Sequence, residues 1–311
     1  MNKTAGIGSG ILIGFILWLM IYGIGDGRGF FSMQKEKALN SEEMSAEGVI
    51  VMAGSTAMEN LSGVLAEGFM AAYPNITVTV EFTGSSAGIE SVLAGRADIG
   101  NSSRRLREEE VNAGAVEHVA AIDGIAVITH PSNAVEGLTM GQLRDIYTGR
   151  VRNWQKAGGA DEAIVVVGRE AGSGTRSVFE EILDMQDICT YANEMDSSGA
   201  VMARVAATPG AIGYVSIDIP DDTVRTLALD GRLPTREEIQ GGGYRLIRPL
   251  IMVTDGAVSQ QSAGVREFFS YIHSEEGRKL IESVGLAVPP YDIGDEVLYL
   301  HDCGLECSDL P

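Results

Sequence analysis

The chain has 311 residues, 45% of them hydrophobic, enough for one large or two medium domains with a substantial core. A formal charge of −20 argues against nucleic acid as a partner and opposes anion binding at long range. Exposed charges are screened beyond roughly 8 Å at physiological salt, so an anion site in this chain would have to rest on local dipoles and its own cations.

Residues 4–25 carry no charge and include Ile11-Leu12-Ile13 and the apolar run from Phe15 to Tyr22, long enough to cross a bilayer as a helix. There is no Ala-x-Ala pattern, and no cysteine follows the run for lipid attachment. Residues 1–25 therefore read as an uncleaved membrane anchor in preference to a removed signal. Residues 26–47, with Lys35, Glu36, Lys37, Glu42 and Glu43, read as a polar tether.

Gly48–Ala53 is predicted as a buried strand, followed by Gly54-Ser55-Thr56 and by Met58, Leu61, Leu65 and Phe69 at helical spacing. Val78, Val80 and Phe82 alternate with Thr77, Thr79 and Glu81 as in a half-buried strand. Thr83-Gly84-Ser85-Ser86-Ala87-Gly88 then opens a helix bearing Ile89, Val92 and Leu93. Ala97–Gly100 reads as a short strand, and Asn101-Ser102-Ser103-Arg104 as a polar turn before a charged helix. Val119–Thr129 reads as a strand and Leu138–Tyr147 as a helix.

Ala163–Val167 is a further strand and Thr175–Leu183 a further helix, with Arg169 and the turn Gly172-Ser173-Gly174 between them. Such a turn exposes backbone N–H groups at a helix N-terminus, where the helix dipole adds positive potential, and so suits an anion. Ser173 and Thr175 add hydroxyl donors, and Arg169 adds a forked cation matched to an oxyanion. The plain alternative is a capped helix beside a surface arginine. The stretch fits neither a Walker loop nor Gly-x-Ser-x-Gly.

Ser198–Ala207 reads as a helix stopped by Pro209-Gly210. Ala211–Val215, Val224–Leu229 and Tyr244–Val253 read as strands, and Val265–His273 and Gly277–Val284 as terminal helices. Residues 291–311 form an acidic tail. Of the three cysteines, Cys303 and Cys307 suit a small-loop disulfide if the domain lies outside the cell. With His301 they make only an incomplete metal trio, so no metal or other cofactor is expected.

Strands alternate with helices throughout, which makes the class α/β. Four Gly/Ser/Thr turns fall at strand-to-helix junctions, the positions where open α/β sheets bind ligands. Together they favour a small oxyanion.

Ala53-Gly54-Ser55-Thr56, Thr83-Gly84-Ser85-Ser86-Ala87-Gly88, Ala97-Asp98-Ile99-Gly100-Asn101-Ser102-Ser103-Arg104 and Arg169-Glu170-Ala171-Gly172-Ser173-Gly174-Thr175 occur in that order. So do Asp123-Gly124-Ile125-Ala126-Val127, Tyr147-Thr148-Gly149-Arg150 and Pro209-Gly210-Ala211-Ile212-Gly213-Tyr214. From about Val49 to Pro290 the chain resembles the substrate-binding proteins of phosphate-specific ABC transporters. The resemblance implies a two-lobed periplasmic binding protein fold of type II, with a hinge between lobes that close on inorganic phosphate. Residues 48–128 with 250–290 would form lobe one and residues 129–249 lobe two, with chain crossings near Thr129–Pro131 and Arg248–Pro249. It further implies phosphate binding by Thr56, the N–H of Ala57, Ser85 and Ser103 from one lobe, and by Arg169, Ser173, Gly174 and Thr175 from the other. A membrane permease would be the partner, with the domain on the extracytoplasmic face and residues 4–25 in the bilayer. Well-known members carry an aspartate where this chain has Ser103. There it accepts the proton of hydrogen phosphate and repels sulfate, whereas Ser103 accepts through lone pairs and repels nothing. Asp98 and Asp123 are alternative acceptors, or structural caps and pairs.

The competing readings are a binder or sensor of another tetrahedral oxyanion, such as sulfate or molybdate, and a serine hydrolase or phosphatase built on Ser173. The enzyme is disfavoured because His118, His130, His273 and His301 fall in no triad context and no metal-ligand cluster accompanies the serine.

Overall fold

The computed structural model of the chain describes residues 47–289. The expected anchor over residues 4–25, the tether up to residue 46, the acidic tail, and His301, Cys303 and Cys307 lie outside the described residues. Among the described residues no helix is long and apolar enough to cross a membrane.

The first strand, β1 (Gly48–Gly54), leads through a 3-10 turn (Thr56–Met58) into α1 (Glu59–Ala72). Then come β2 (Ile76–Phe82), α2 (Ser85–Leu93), β3 (Ile99–Ser102), α3 (Glu108–Asn112) and the long β4 (Ala115–Thr129). The chain continues through β5 (Gly137–Leu138), α4 (Met140–Tyr147), β6 (Val165–Arg169), α5 (Gly174–Ile182), β7 (Asn193–Met195), α6 (Ser198–Ala206) and β8 (Ala211–Ser216). It closes with β9 (Arg225–Thr226), β10 (Ala228–Leu229), α7 (Arg236–Gln240), β11 (Ile247–Asp255), α8 (Ala263–His273) and α9 (Glu275–Ser283).

The main sheet runs β2-β1-β3-β11-β4-β8-β6-β7, with β9 added to β4. It has two parallel ends, β2-β1-β3 and β8-β6-β7, joined by the antiparallel strands β11 and β4. β4 belongs to both halves: up to Gly124 it pairs with β11, and from Ile125 to Thr129 it pairs with β8. The change of partner therefore precedes Thr129–Pro131. β11 pairs with β4 along its whole length, from Ile247 to Asp255, and with β3 from Ile251 to Val253.

Each half has its own apolar packing. In the first, Phe69 of α1 meets Phe268 and Tyr271 of α8 edge-on, at centroid separations of 5.1 and 5.6 Å. In the second, Phe179 of α5 stacks on Tyr214 of β8 at 4.1 Å and lies edge-on to Tyr147 at 4.8 Å. Burying an aromatic ring of this kind is worth roughly 1.5–3 kcal/mol, and here it fixes α5 against the sheet behind its own N-terminus.

Of the boundaries that differ from the sequence reading, two bear on the sheet. Asn101 and Ser102 complete β3 and do not begin a turn, because β3 is an inner strand bonded to both β1 and β11. Asn101 supports this by donating from Nδ2 to Ser62 Oγ at 3.1 Å. The stretch 224–229 divides into β9, which joins β4, and β10, which pairs with β5.

Candidate oxyanion site

The parallel strands deliver their loops to one edge of the sheet. The loops after β1, β2 and β3 carry Ser55–Ala57, Ser85 and Ser103, and those after β6 and β7 carry Glu170–Thr175 and Asp196–Ser198. Each helix start is set by a side-chain cap or a glycine. Ser55 Oγ accepts from Ala57 N at 3.3 Å, Ser173 Oγ from Arg176 N at 3.3 Å and Ser197 Oγ from Ala200 N at 3.2 Å. Gly84, at φ 93°, precedes α2 in a conformation that side chains disfavour.

These loops meet. Ser55 Oγ donates to Ser103 Oγ at 2.9 Å, Ser103 N donates to Ser85 Oγ at 3.1 Å, and the Ser85 and Ser103 hydroxyls are 3.3 Å apart. Gly174, the first residue of α5, faces this trio: a Cβ there would lie 2.5 Å from Ser85 Oγ, 2.8 Å from Ser103 Oγ and 3.0 Å from Arg104 N. Only glycine leaves the space open. Beside it, Ser198 N donates to Thr56 Oγ1 at 3.2 Å, and Arg169 Nη1 donates to Ser198 Oγ at 3.2 Å. Ser86 N donates to the Gly172 carbonyl at 3.2 Å, joining the two halves directly. Thr56, Ala57, Ser85, Ser103, Arg169, Ser173, Gly174 and Thr175 are all buried, and they sit on the loops that converge here.

The hydroxyls each accept a hydrogen bond from a protein donor. Ser85 accepts from Ser103 N, Ser103 from Ser55, Thr56 from Ser198 N, and Ser198 from Arg169. Each of these hydroxyls keeps one proton to place: that of Ser55 goes to Ser103, while Ser85 with Ser103 and Thr56 with Ser198 lie within 3.3 and 3.4 Å, so one member of each pair can donate to the other or to a bound anion. The loops thus form a cage of O–H and N–H donors.

The arginines around it are neutralised. Arg169 is 2% exposed, and Nε and Nη2 hold Glu170 at 3.0 and 2.9 Å, with further bonds to the Met195 and Asp196 carbonyls. Nη1 is the arm that Glu170 leaves open. Arg104 forms a two-point pair with Glu110 at 2.8 and 2.7 Å and donates to Ser86 Oγ at 3.2 Å. The Arg104 guanidinium and the Arg107 N–H help hold the Glu110 carboxyl below its ordinary value, against the opposing effect of burial.

Arg248 pairs with Asp123, and both side chains are fully buried. Asp123 is thus a structural pair. Burial pushes its carboxyl up, against Arg248 and the hydrogen bonds from Ser216 Oγ and Ile217 N. Asp98 is also structural, accepting from Val51 N at 2.8 Å.

The sequence reading names Ser55, Glu170, Ser198 and Arg248 but does not assign them to the site. Ser198 had a signal, since Asp196-Ser197-Ser198-Gly199 repeats the Ser/Gly pattern of the other turns. Arg248 and Glu170 had none, because their roles depend on partners supplied by the fold.

Residues 41–276 match the family described as the PBP superfamily domain. The chain is 34% identical over 256 residues to the phosphate-binding protein PstS of Bacillus subtilis, covering 81% of this chain and 84% of that protein. It is 27% identical to the phosphate-binding protein PstS of Borreliella burgdorferi, covering 82% of this chain and 95% of that one. Among solved structures it is similar to a putative phosphate ABC transporter substrate-binding protein with bound phosphate from Clostridium perfringens. That likeness has 36% identity and a TM-score of 0.75 over 78% of this chain and 99% of the other. It is also similar to an ABC-type phosphate transport receptor from Vibrio cholerae, with 33% identity and a TM-score of 0.64 over 77% and 100% of the two chains.

Proposed function

The chain belongs to the PBP superfamily and, within it, to the relatives of the PstS phosphate-binding proteins, and we propose that it is the extracytoplasmic substrate-binding component of a phosphate ABC importer. It is a binder and not an enzyme. The observation that carries the reading is the donor cage between the two halves of the sheet, with Ser85 and Ser103 from one half facing Gly174 from the other. Thr56, the Ala57 N–H, Ser85 and Ser103 bind inorganic phosphate from the first half; Arg169, Ser173, Gly174 and Thr175 bind it from the second. The halves act as lobes, residues 48–128 with 250–290 and residues 129–249. The partner change at Gly124–Ile125 supports a first crossing somewhat earlier than Thr129–Pro131. A permease in the membrane receives the phosphate. Residues 4–25 anchor the domain beside it, a reading supported by their uncharged apolar sequence.

A second reading is favoured by one observation. At the Ser103 position the cage offers a hydroxyl and no carboxylate, so another tetrahedral oxyanion such as sulfate or molybdate would meet no repulsion there. Calorimetric titration with phosphate, sulfate and molybdate separates the two readings. Phosphate binding with sulfate weaker by orders of magnitude supports the phosphate importer, and preference for sulfate or molybdate refutes it.

A further inference from the structure

Arg248 lies on β11 with its side chain excluded from water, and its ion pair with Asp123 of β4 is side-on. Nε and Nη2 stand 2.8 and 2.7 Å from the same oxygen, Oδ2, while Oδ1 accepts from Ser216 Oγ at 2.8 Å and Ile217 N at 3.3 Å. Nη1 is left for the anion loops. It donates to Thr175 Oγ1 at 2.6 Å and reaches the Ser103 carbonyl at 3.5 Å. Thr175 sits in the first turn of α5, on the second half of the sheet, and Ser103 follows β3, on the first. Asp123 and Arg248 stand opposite each other in the β4–β11 ladder, beside the point where β4 changes partner.

A threonine hydroxyl has one proton and two lone pairs. Arg248 fills a lone pair of Thr175, which sends the hydroxyl proton to a different acceptor. The hydroxyls of Ser85 and Ser103, which meet around Gly174, likewise each accept a bond from the protein, from Ser103 N and Ser55 Oγ, and keep a proton that an anion can take. We propose that Arg248 is a positioning residue of the oxyanion site: held side-on by Asp123, it makes Thr175 a donor toward the anion and ties the Thr175 and Ser103 loops to the strand pair shared by both halves. The proposal rests on the phosphate reading above.

Asp123 has a distinct part in this arrangement. It neutralises Arg248, so removing its charge without changing its shape leaves a buried guanidinium uncompensated, which weakens the ligand-free fold. An anion in the cage then offsets that charge. Substitutions at Arg248 and Asp123 therefore act in opposite directions on the anion's contribution, an outcome that a purely structural role for the pair does not give.

The test is calorimetric titration of the full chain with inorganic phosphate, and with sulfate in parallel, for the unsubstituted protein, Arg248→Lys, Thr175→Val, the double variant and Asp123→Asn. Melting with and without ligand accompanies each. Arg248→Lys and Thr175→Val should each weaken phosphate by about 10-fold, the loss expected for a charge-assisted or anion-directed hydrogen bond. The double variant should be within about twofold of Thr175→Val alone, because the two residues act as one unit. Asp123→Asn should melt lower without ligand and gain more from saturating phosphate than the unsubstituted chain does. Losses that multiply in the double variant would overturn the proposal, as would native affinity in Arg248→Lys. If Arg248→Lys does not fold, the Asp123→Asn melting shift decides alone: a shift no larger than that of the unsubstituted chain overturns the proposal. Sulfate binding without phosphate binding refutes the phosphate reading, and the coupling is then read on sulfate. Binding of neither ion refutes both.

Discussion

Replacing Gly174 by alanine should separate binding from stability. The new methyl carbon would stand 2.5 Å from Ser85 Oγ and 2.8 Å from Ser103 Oγ. Non-bonded carbon contacts settle at about 3.5–4.0 Å, so the loops after β2 and β3 would have to withdraw by about an ångström. Both hydroxyls come from the half of the sheet opposite Gly174, so the clash acts on the approach of the halves and strains neither alone. Overpacking of this kind costs roughly 1–3 kcal/mol, and at 1.4 kcal/mol per decade the closed, anion-holding arrangement should weaken by about 5- to 150-fold. Gly174 opens α5 with a backbone that alanine also adopts, so its own half is not strained and the ligand-free protein should unfold in urea no earlier than before. Calorimetric titration with phosphate and urea unfolding of the same preparation read the two effects separately. Native phosphate affinity in Gly174→Ala would refute the meeting of Ser85, Ser103 and Gly174 around the anion.

Three further outcomes are expected. Arg169→Ala removes Nη1, the arm not held by Glu170, and should weaken phosphate by roughly 2–4 kcal/mol; unchanged affinity by calorimetry would remove Arg169 from the site. Asp218 follows β8 with both carboxyl oxygens buried, and burial together with the charge of Asp123 pushes it up to about 7. The folded state then holds a proton that the unfolded chain releases, so this contribution to stability is full below the ordinary carboxylate range and is lost as pH rises through about 7. Asp218→Asn should consequently stabilise the protein by roughly 2–4 kcal/mol at pH 8 and by little near pH 4; an equal increment in urea unfolding at both pH values would refute this. Saturating phosphate should compact the protein in small-angle scattering and raise its melting temperature, whereas an unchanged profile would argue for a preformed rigid site.

Much of the site was legible because glycine, serine and threonine at strand-to-helix junctions have local reasons to be there. Ser173 caps α5 through Arg176 N, and Gly84 supplies a left-handed backbone before α2, without help from the rest of the fold. The type and order of most elements follow from apolar periodicity in the same way. Pairing across the chain was not legible. Asp123 and Arg248 meet because β11 returns antiparallel to β4, and no local pattern in either stretch announces the other. Asn101 and Ser102 have turn-like side chains, yet ladder bonds on both sides of β3 outweigh that preference. Glu170 could be read as part of the turn, but not as the group that takes two arms of Arg169.

The neutralised arginines bear on how a strongly acidic chain can hold an anion and still let it go. Arg104, Arg169 and Arg248 each face their own carboxylate, so no uncompensated guanidinium attracts phosphate to one half of the sheet alone. The proposed donors are then short-range ones, Thr56, Ala57, Ser85 and Ser103 on one half and the free arm of Arg169, Ser173, Gly174 and Thr175 on the other. Short-range donors act only within hydrogen-bond distance. Parting of the proposed lobes would therefore remove one half of the set at a stroke, and the other half has no surplus charge with which to retain the ion. On the proposed two-lobed reading the affinity resides in the closed form, and a partner that holds the lobes apart lowers it by the whole difference between the states. For a protein that must capture an ion and then surrender it at a permease, dividing charge-compensated donors between two proposed lobes serves better than a single fixed cluster of positive charge.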